Sequence, residues 1–158
     1  MVTVPEKSVP DLPAGFLTGA AEGSVVIDTC NYYPKQRDGR IAAIEDGLTE
    51  SEWVAQQIGH AVVKAFNNIH YVHLLENGLP AGTPGRIALP IAGDSAADKA
   101  IVARLVDELG FDPVDTGSLS ESWRQEPGHP AYVADLDSEG VRQAFAEATH
   151  ERPADHIA

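Results

Sequence analysis

The chain has 158 residues and a mass of 16.8 kDa, enough for one compact domain and too few for two full-sized ones. Its composition, 43% hydrophobic and 22% charged, excludes disorder along the whole length. A formal net charge of −13 has the wrong sign for gripping phosphate backbones or anionic lipid, so no nucleic acid and no membrane surface is expected as a partner.

Met1-Val2-Thr3-Val4 is apolar and β-branched and is stopped by Pro5, so the sequence opens inside a strand. Ser8 to Gly23 is broken by Pro and Gly and leaves room for one short helix around Leu12 to Leu17. Val25-Val26-Ile27 is a continuous apolar run, as in a strand covered on both faces. Ala61-Val62-Val63 and the run from Ile87 to Ala92 repeat it, and a fifth strand is expected from Phe111 to Thr116, with Pro113 marking a sheet edge. Between the strands, Thr49 and Glu52 form a capping box for a helix from Glu50 to Ile58 that stops at Gly59. Ser95 and Asp98 open another, in which Ile101, Leu105 and Leu109 recur every four residues before Gly110 ends it. Shorter helices are expected over His70 to Glu76 and Ser138 to Ala148, and His150 to Ala158 reads as a frayed, flexible tail. The first twenty residues carry Glu6, Lys7, Asp11 and three prolines, unlike a signal peptide or a membrane span, and a cytoplasmic protein is expected.

Strand–helix alternation with buried Val and Ile runs predicts an open α/β fold with a parallel sheet. Ligands of such sheets bind outside the carboxyl ends of the strands. The strand ends readable here are Val4-Pro5, Thr29-Cys30-Asn31, Phe66-Asn67-Asn68 and Gly93-Asp94-Ser95.

Gly-x-Gly occurs nowhere among the 14 glycines, so the dinucleotide fingerprint and the P-loop are both absent. Gly117-Ser118-Leu119-Ser120-Glu121 lacks the closing glycine of a nucleophile elbow. Cys30 is the one possible thiol nucleophile, or else a buried inert cysteine; alone, it supports neither a disulfide framework nor a cysteine-cluster zinc site. His70 and His73 share a helix face, as metal ligands or as packed and solvated side chains. Two features stand out. The connection from Cys30 to Thr49 is long and opens with Asn31-Tyr32-Tyr33-Pro34; the other, Lys64-Ala65-Phe66-Asn67-Asn68-Ile69, is a strand running into an amide pair. Asn offers a donor and an acceptor, which suits either the edges of redox rings or the local backbone at a strand end.

Four segments in this order are similar to one family: residues 25–31 (VVIDTCN), 62–69 (VVKAFNNI), 89–94 (LPIAGD) and 110–119 (GFDPVDTGSL). They resemble the NADP oxidoreductase family dependent on the deazaflavin coenzyme F(420), whose NAD(P)-binding members carry a Rossmann domain and a small C-terminal extension. The resemblance runs from Val2 to about Phe145. It implies hydride transfer between NADP(H) and a deazaflavin stacked in one cleft, with little acid–base chemistry. It places Val4 and Pro5 beside the nicotinamide, Asn31 at the polar position after a strand, Phe66, Asn67 and Ile69 along the ring wall, and Ser118 and Leu119 in a loop closing the cleft. The family's glycine-rich turn and first helix precede the part matched by Val2. By that comparison the chain is a partial Rossmann-like parallel sheet with a C-terminal α/β extension, residues 1–149, short of ~70 residues carrying about two βα units. Two expectations follow: a fragment of an oxidoreductase, or a non-catalytic binding or assembly module, possible as a homodimer through the exposed sheet edge.

Overall fold

The apolar runs do pair as strands, but in two directions. In the computed structural model, which describes residues 1–158, β1 (Ile27–Asp28) and β2 (Val63–Lys64) pair in parallel, with Asp28 beside Lys64. β3 (Ala88–Ile91) and β4 (Asp112–Asp115) make a second parallel pair. The pairs meet at an antiparallel bridge, where Lys64 N donates to Ala92 O at 2.8 Å and Ala92 N donates to Lys64 O at 3.1 Å. Outside β1, Val2 bridges Asp28 in parallel, so the opening segment does join the sheet. The result is an α/β fold with parallel strand pairs, as expected of a partial Rossmann-like sheet.

A single strand direction is not found, and the list of strand ends is corrected accordingly. Gly93 and Asp94 lie at the end of the sheet opposite Cys30 and Phe66, because the chain between β2 and β3 reverses direction instead of crossing over to a parallel neighbour. Its helix α3 (Tyr71–Glu76) buries none of its residues, and the chain turns back to run β3 against β2.

Side chains alternate across the strands and sort the layers. Ile27, Val63, Leu89 and Ile91 pack with Val102 and Val106 of α4 (Ala96–Glu108). On the other face, Val26 and Val62 pack with Ile44 of α1 (Ala42–Glu45) and with Trp53 and Val54 of α2 (Glu50–Ile58). Ala88 and Val114 pack on that side with Val141, Ala144 and Phe145 of α5 (Ser138–Glu147). The capping box is present: Thr49 Oγ1 accepts from Glu52 N at 3.1 Å and Glu52 Oε2 accepts from Thr49 N at 3.0 Å. The helix expected at Leu12 to Leu17 is corrected to a 3-10 helix over Glu6–Asp11 followed by turns, since Pro10 and Pro13 deny an α-helix its backbone donors. No helix is long and apolar enough to cross a membrane.

Even-numbered positions of β1 and β2 also place charge inside. Lys64 Nζ, fully buried, lies 3.3 Å from Asp28 Oδ2 and 3.9 Å from Glu50 Oε2, and donates to Cys30 O at 2.5 Å. Asp28 accepts further from Cys30 N at 2.9 Å and from Ser51 Oγ at 2.6 Å. Glu126 Oε1 accepts from Glu50 N at 2.7 Å, at the N-terminus of α2. Residues 150–158, expected as a tail, lie against this body, with Arg152 2.8 Å from Glu126 Oε2 and 3.5 Å from Glu50 Oε1.

Glu6 is fully buried and neither of its oxygens has a hydrogen-bond partner. Burial pushes its pKa up to about 8; Lys64 opposes the rise, and Asp28, Asp38 and Glu126 add to it. The folded protein thus keeps a proton that the unfolded chain releases above about pH 4.5. Wild type is expected to lose stability relative to Glu6→Gln as pH climbs from about 4.5 to about 8, with no further change above. The difference is on the order of a few kcal/mol, read from urea midpoints across that window; a constant difference would show that Glu6 is ionised in the folded state.

Candidate functional site

Where β1 and β2 end, the chain turns sharply. Phe66 follows β2 with φ +63°, a left-handed conformation that costs a bulky residue roughly 1–3 kcal/mol. The turn sends Asn67 back under the loop that leaves β1. Asn31 Nδ2 donates to Asn67 O and Asn67 Nδ2 donates to Asn31 Oδ1, both at 3.1 Å. Asn67 Nδ2 also donates to Gln125 O at 2.7 Å, and Gln125 Nε2 returns a bond to Asn67 Oδ1 at 2.8 Å. Both hydrogens of the buried Asn67 amide are therefore used inside the protein. Asn31 is half-buried and keeps one donor and one acceptor position free.

Two hollows adjoin this pair. One, of ≈ 370 Å³, is walled by Asn31, Phe66, Asn67, Ile69, Tyr132 and Val133 among others. The second, ≈ 220 Å³, is lined by Val4, Pro5, Cys30, Tyr33 and Arg37, and shares Thr3, Thr29 and Asn31 with the first. The Tyr33 hydroxyl, from the lining of the second hollow, hydrogen-bonds to the Tyr132 hydroxyl of the first. Val133, at φ +53°, donates its N–H to Asn68 O at 2.9 Å. Two non-glycine residues in left-handed backbone thus border one cleft.

Of the eight residues singled out in the sequence, six meet here: Val4, Pro5, Asn31, Phe66, Asn67 and Ile69. Ser118 and Leu119 line neither hollow. Leu119 is buried with Val26 and Val62 near the opposite end of β1 and β2, its N–H donating to Asp94 Oδ1 at 2.9 Å, while Ser118 Oγ pairs with Ser120 Oγ at 2.8 Å. They open a 3-10 helix, Leu119–Gln125, whose far end supplies Gln125 to the amide pair. Cys30 is buried, and burial followed by the charges of Asp28 and Glu6 pushes its thiol pKa up, away from nucleophilic use. His70 caps α3, His73 pairs with Asp135, and no three His, Cys, Asp or Glu are grouped to hold a metal ion.

Sequence reasoning missed Gln125, Tyr132 and Val133. Gln125 sits in a 3-10 segment with no apolar period to mark it. The turn around Gly128-His129-Pro130, which carries Ala131-Tyr132-Val133 back to the cleft, was the available signal.

No family model matches the chain. Over 69 residues it is 45% identical to the protein YjhV of Escherichia coli K12, covering 44% of this chain and 50% of that one. Its fold is similar to the crystal structure of a hypothetical protein, SMa0349, of Sinorhizobium meliloti: 28% identity and TM-score 0.67 over 85% of this chain and 64% of that one. It is also similar in fold to a protein of Arthrobacter sp. FB24 assigned as an F420-dependent NADP reductase, at 24% identity and TM-score 0.51, over 64% of this chain and 46% of that one. The chain thus spans half of YjhV and just under two thirds of the Sinorhizobium protein.

Replacing Asn67 with Leu leaves Gln125 Nε2, Gln125 O and Asn31 Oδ1 without their partner in a buried setting. Asn67→Leu is expected to cost about 2–4 kcal/mol in urea unfolding. A loss below about 0.5 kcal/mol would show that water replaces the amide freely.

Proposed function

We propose that this chain forms the ring-binding side of a hydride-transfer cleft shared by the nicotinamide of NADP(H) and a deazaflavin or other flavin-type coenzyme. The observation that carries this reading is convergence. Residues from three separate stretches of sequence, Val4-Pro5, Asn31, and Phe66, Asn67 and Ile69, come together on two hollows joined through Thr3, Thr29 and Asn31. The fold likeness to the Arthrobacter reductase supports it, as does the left-handed backbone of Phe66 and Val133 on the cleft wall.

The residues present fit rings better than phosphates. Phe66, Ile69 and Val133 give apolar flanks, and Asn31 offers its free donor and acceptor to a ring edge. A pyrophosphate finds no Gly-x-Gly turn within these 158 residues. When bound, a reduced nicotinamide supplies a hydride and the flavin-type ring accepts it. The chain's own contribution is positional: Asn31 orients a ring, Phe66 and Ile69 keep water from its face, and Asn67 with Gln125 holds Asn31 in place.

A second reading, an assembly module, is supported by the outer edge of the Val2 segment and the hollow of ≈ 480 Å³ beside it, lined by Val2, Phe16, Leu17 and Ala20. One experiment separates the two. Titration of the chain with a deazaflavin, followed by ring fluorescence, is expected to saturate, and Asn31→Leu is expected to weaken binding about tenfold. No saturable binding, together with a dimer in light scattering, would favour assembly. Equal affinity in Asn31→Leu would remove Asn31 from the site.

A further inference from the structure

We infer that residues 150–158 act as a strap that holds the 31–38 loop, and with it Asn31 and Tyr33, in position at the cleft. The strap is anchored at both ends and along its length. Arg152 lies 2.8 Å from Glu126 Oε2 and 3.5 Å from Glu50 Oε1, and both carboxylates are buried. The same guanidinium sits 5.3 Å from the centre of the Tyr32 ring. Further along, Ala154 O accepts from Lys35 Nζ at 2.8 Å, the His156 ring lies 6.1 Å from that of Tyr33, and Ala158 N donates to Glu45 Oε1 at 3.1 Å.

Each anchor leads back to the loop. Tyr32 is fully buried; its hydroxyl accepts from Ile41 N and lies 2.9 Å from both Gly39 O and Glu45 Oε1, so Glu45 joins loop and strap at one carboxylate. Lys35 belongs to the π-helical turn Pro34–Asp38, in which Arg37 N and Asp38 N donate to Tyr33 O, each at 3.0 Å, and Gly39 N donates to Pro34 O at 3.0 Å. Arg37 in turn donates to Asn31 O. The loop therefore touches the strap on one side and the cleft on the other.

Two further features show a fitted seat. Gly128 has φ +88°, and a Cβ built there would fall 2.7 Å from Pro153 Cγ and 2.7 Å from His156 Cδ2, so the strap crosses where the chain has no side chain. His150 stacks on Trp123 at 4.0 Å, and with Arg152 and Ile157 it walls a cavity of ≈ 610 Å³ against α1, α2 and the Leu119–Gln125 helix. Removing the strap would strip one wall from that cavity.

Hydrogen exchange of the full chain tests this, with two variants that detach the strap differently. Arg152→Met removes the buried anchor, and Gly128→Ala wedges the seat without touching the charges. In both, the amides of Arg37, Asp38 and Gly39 are expected to exchange at least tenfold faster, together with a change in Trp123 fluorescence as the His150 stack is lost. The amides of Asp112 and Thr116, bonded to Ile87 and Ile91 across the distant β3–β4 pair, are expected to keep their protection and so report that the variants fold. If Arg152→Met unfolds, Gly128→Ala decides alone. Wild-type exchange at residues 37–39 in folded variants would overturn the inference, as would altered fluorescence with an unchanged loop.

Discussion

A buried ammonium sits where the two halves of the sheet meet. Lys64 is hydrogen-bonded through its backbone to Ala92 on one side and paired in register with Asp28 on the other, and its side chain is fully enclosed. Taking one charge out of water costs several kcal/mol, which is tolerable only when opposite charge and hydrogen-bond acceptors surround it. Asp28, Cys30 O and Glu50 do so here. Burial alone would lower the lysine pKa, and the charges of Asp28, Glu50 and Glu6 instead carry it above the ordinary value. Ser51, at the start of α2, bonds the same Asp28, so the two residues of one ion pair touch both strands of β1–β2, the antiparallel bridge to Ala92 and the start of a helix.

The cleft inherits its geometry from that arrangement. Cys30 O, which accepts from Lys64, immediately precedes Asn31, and Phe66 follows Lys64 by two residues. Both cleft walls therefore leave the sheet within two or three residues of the buried pair. Gln125 closes the far side, delivered by a 3-10 helix that runs across the sheet from Leu119 to Asn67. Glu126 continues that line to the N-terminus of α2 and to Arg152, so a chain of polar contacts connects cleft, helix and the last residues of the sequence.

Much of this was legible in the sequence where short-range chemistry decides. The Thr49–Glu52 box, the Ser95 cap and the apolar stripe of α4 locate their helices because caps and periodicity act within a turn or two. The apolar runs locate the strands, and Val4, Asn31, Phe66, Asn67 and Ile69, named from strand ends and the resemblance together, fall on two adjoining hollows. Direction is not legible: the Val and Ile runs look the same whether a strand runs parallel or antiparallel, so Gly93 and Asp94 are expected at the same sheet end as Asn31 and lie at the other. Ser118 and Leu119, expected in a cleft-closing loop from the resemblance alone, line neither hollow. Nor did Lys64 announce its burial, because the run Ala61-Val62-Val63 marks a covered strand but not the carboxylates of Asp28 and Glu50 that enclose a charge at its end. The contacts of Arg152 and Gln125 span 26 and 58 residues of chain, beyond the reach of any local pattern.

The charge state of Lys64 is the most direct measurement of the constraint on which the fold depends. Side-chain ¹⁵N resonances of the lysines, followed through the ordinary lysine midpoint of 10.5, should show one ammonium that stays protonated and exchanges slowly while the other lysines titrate. A chain in which every lysine titrates at or below that midpoint would contradict a buried Lys64–Asp28 pair at the junction of the sheet.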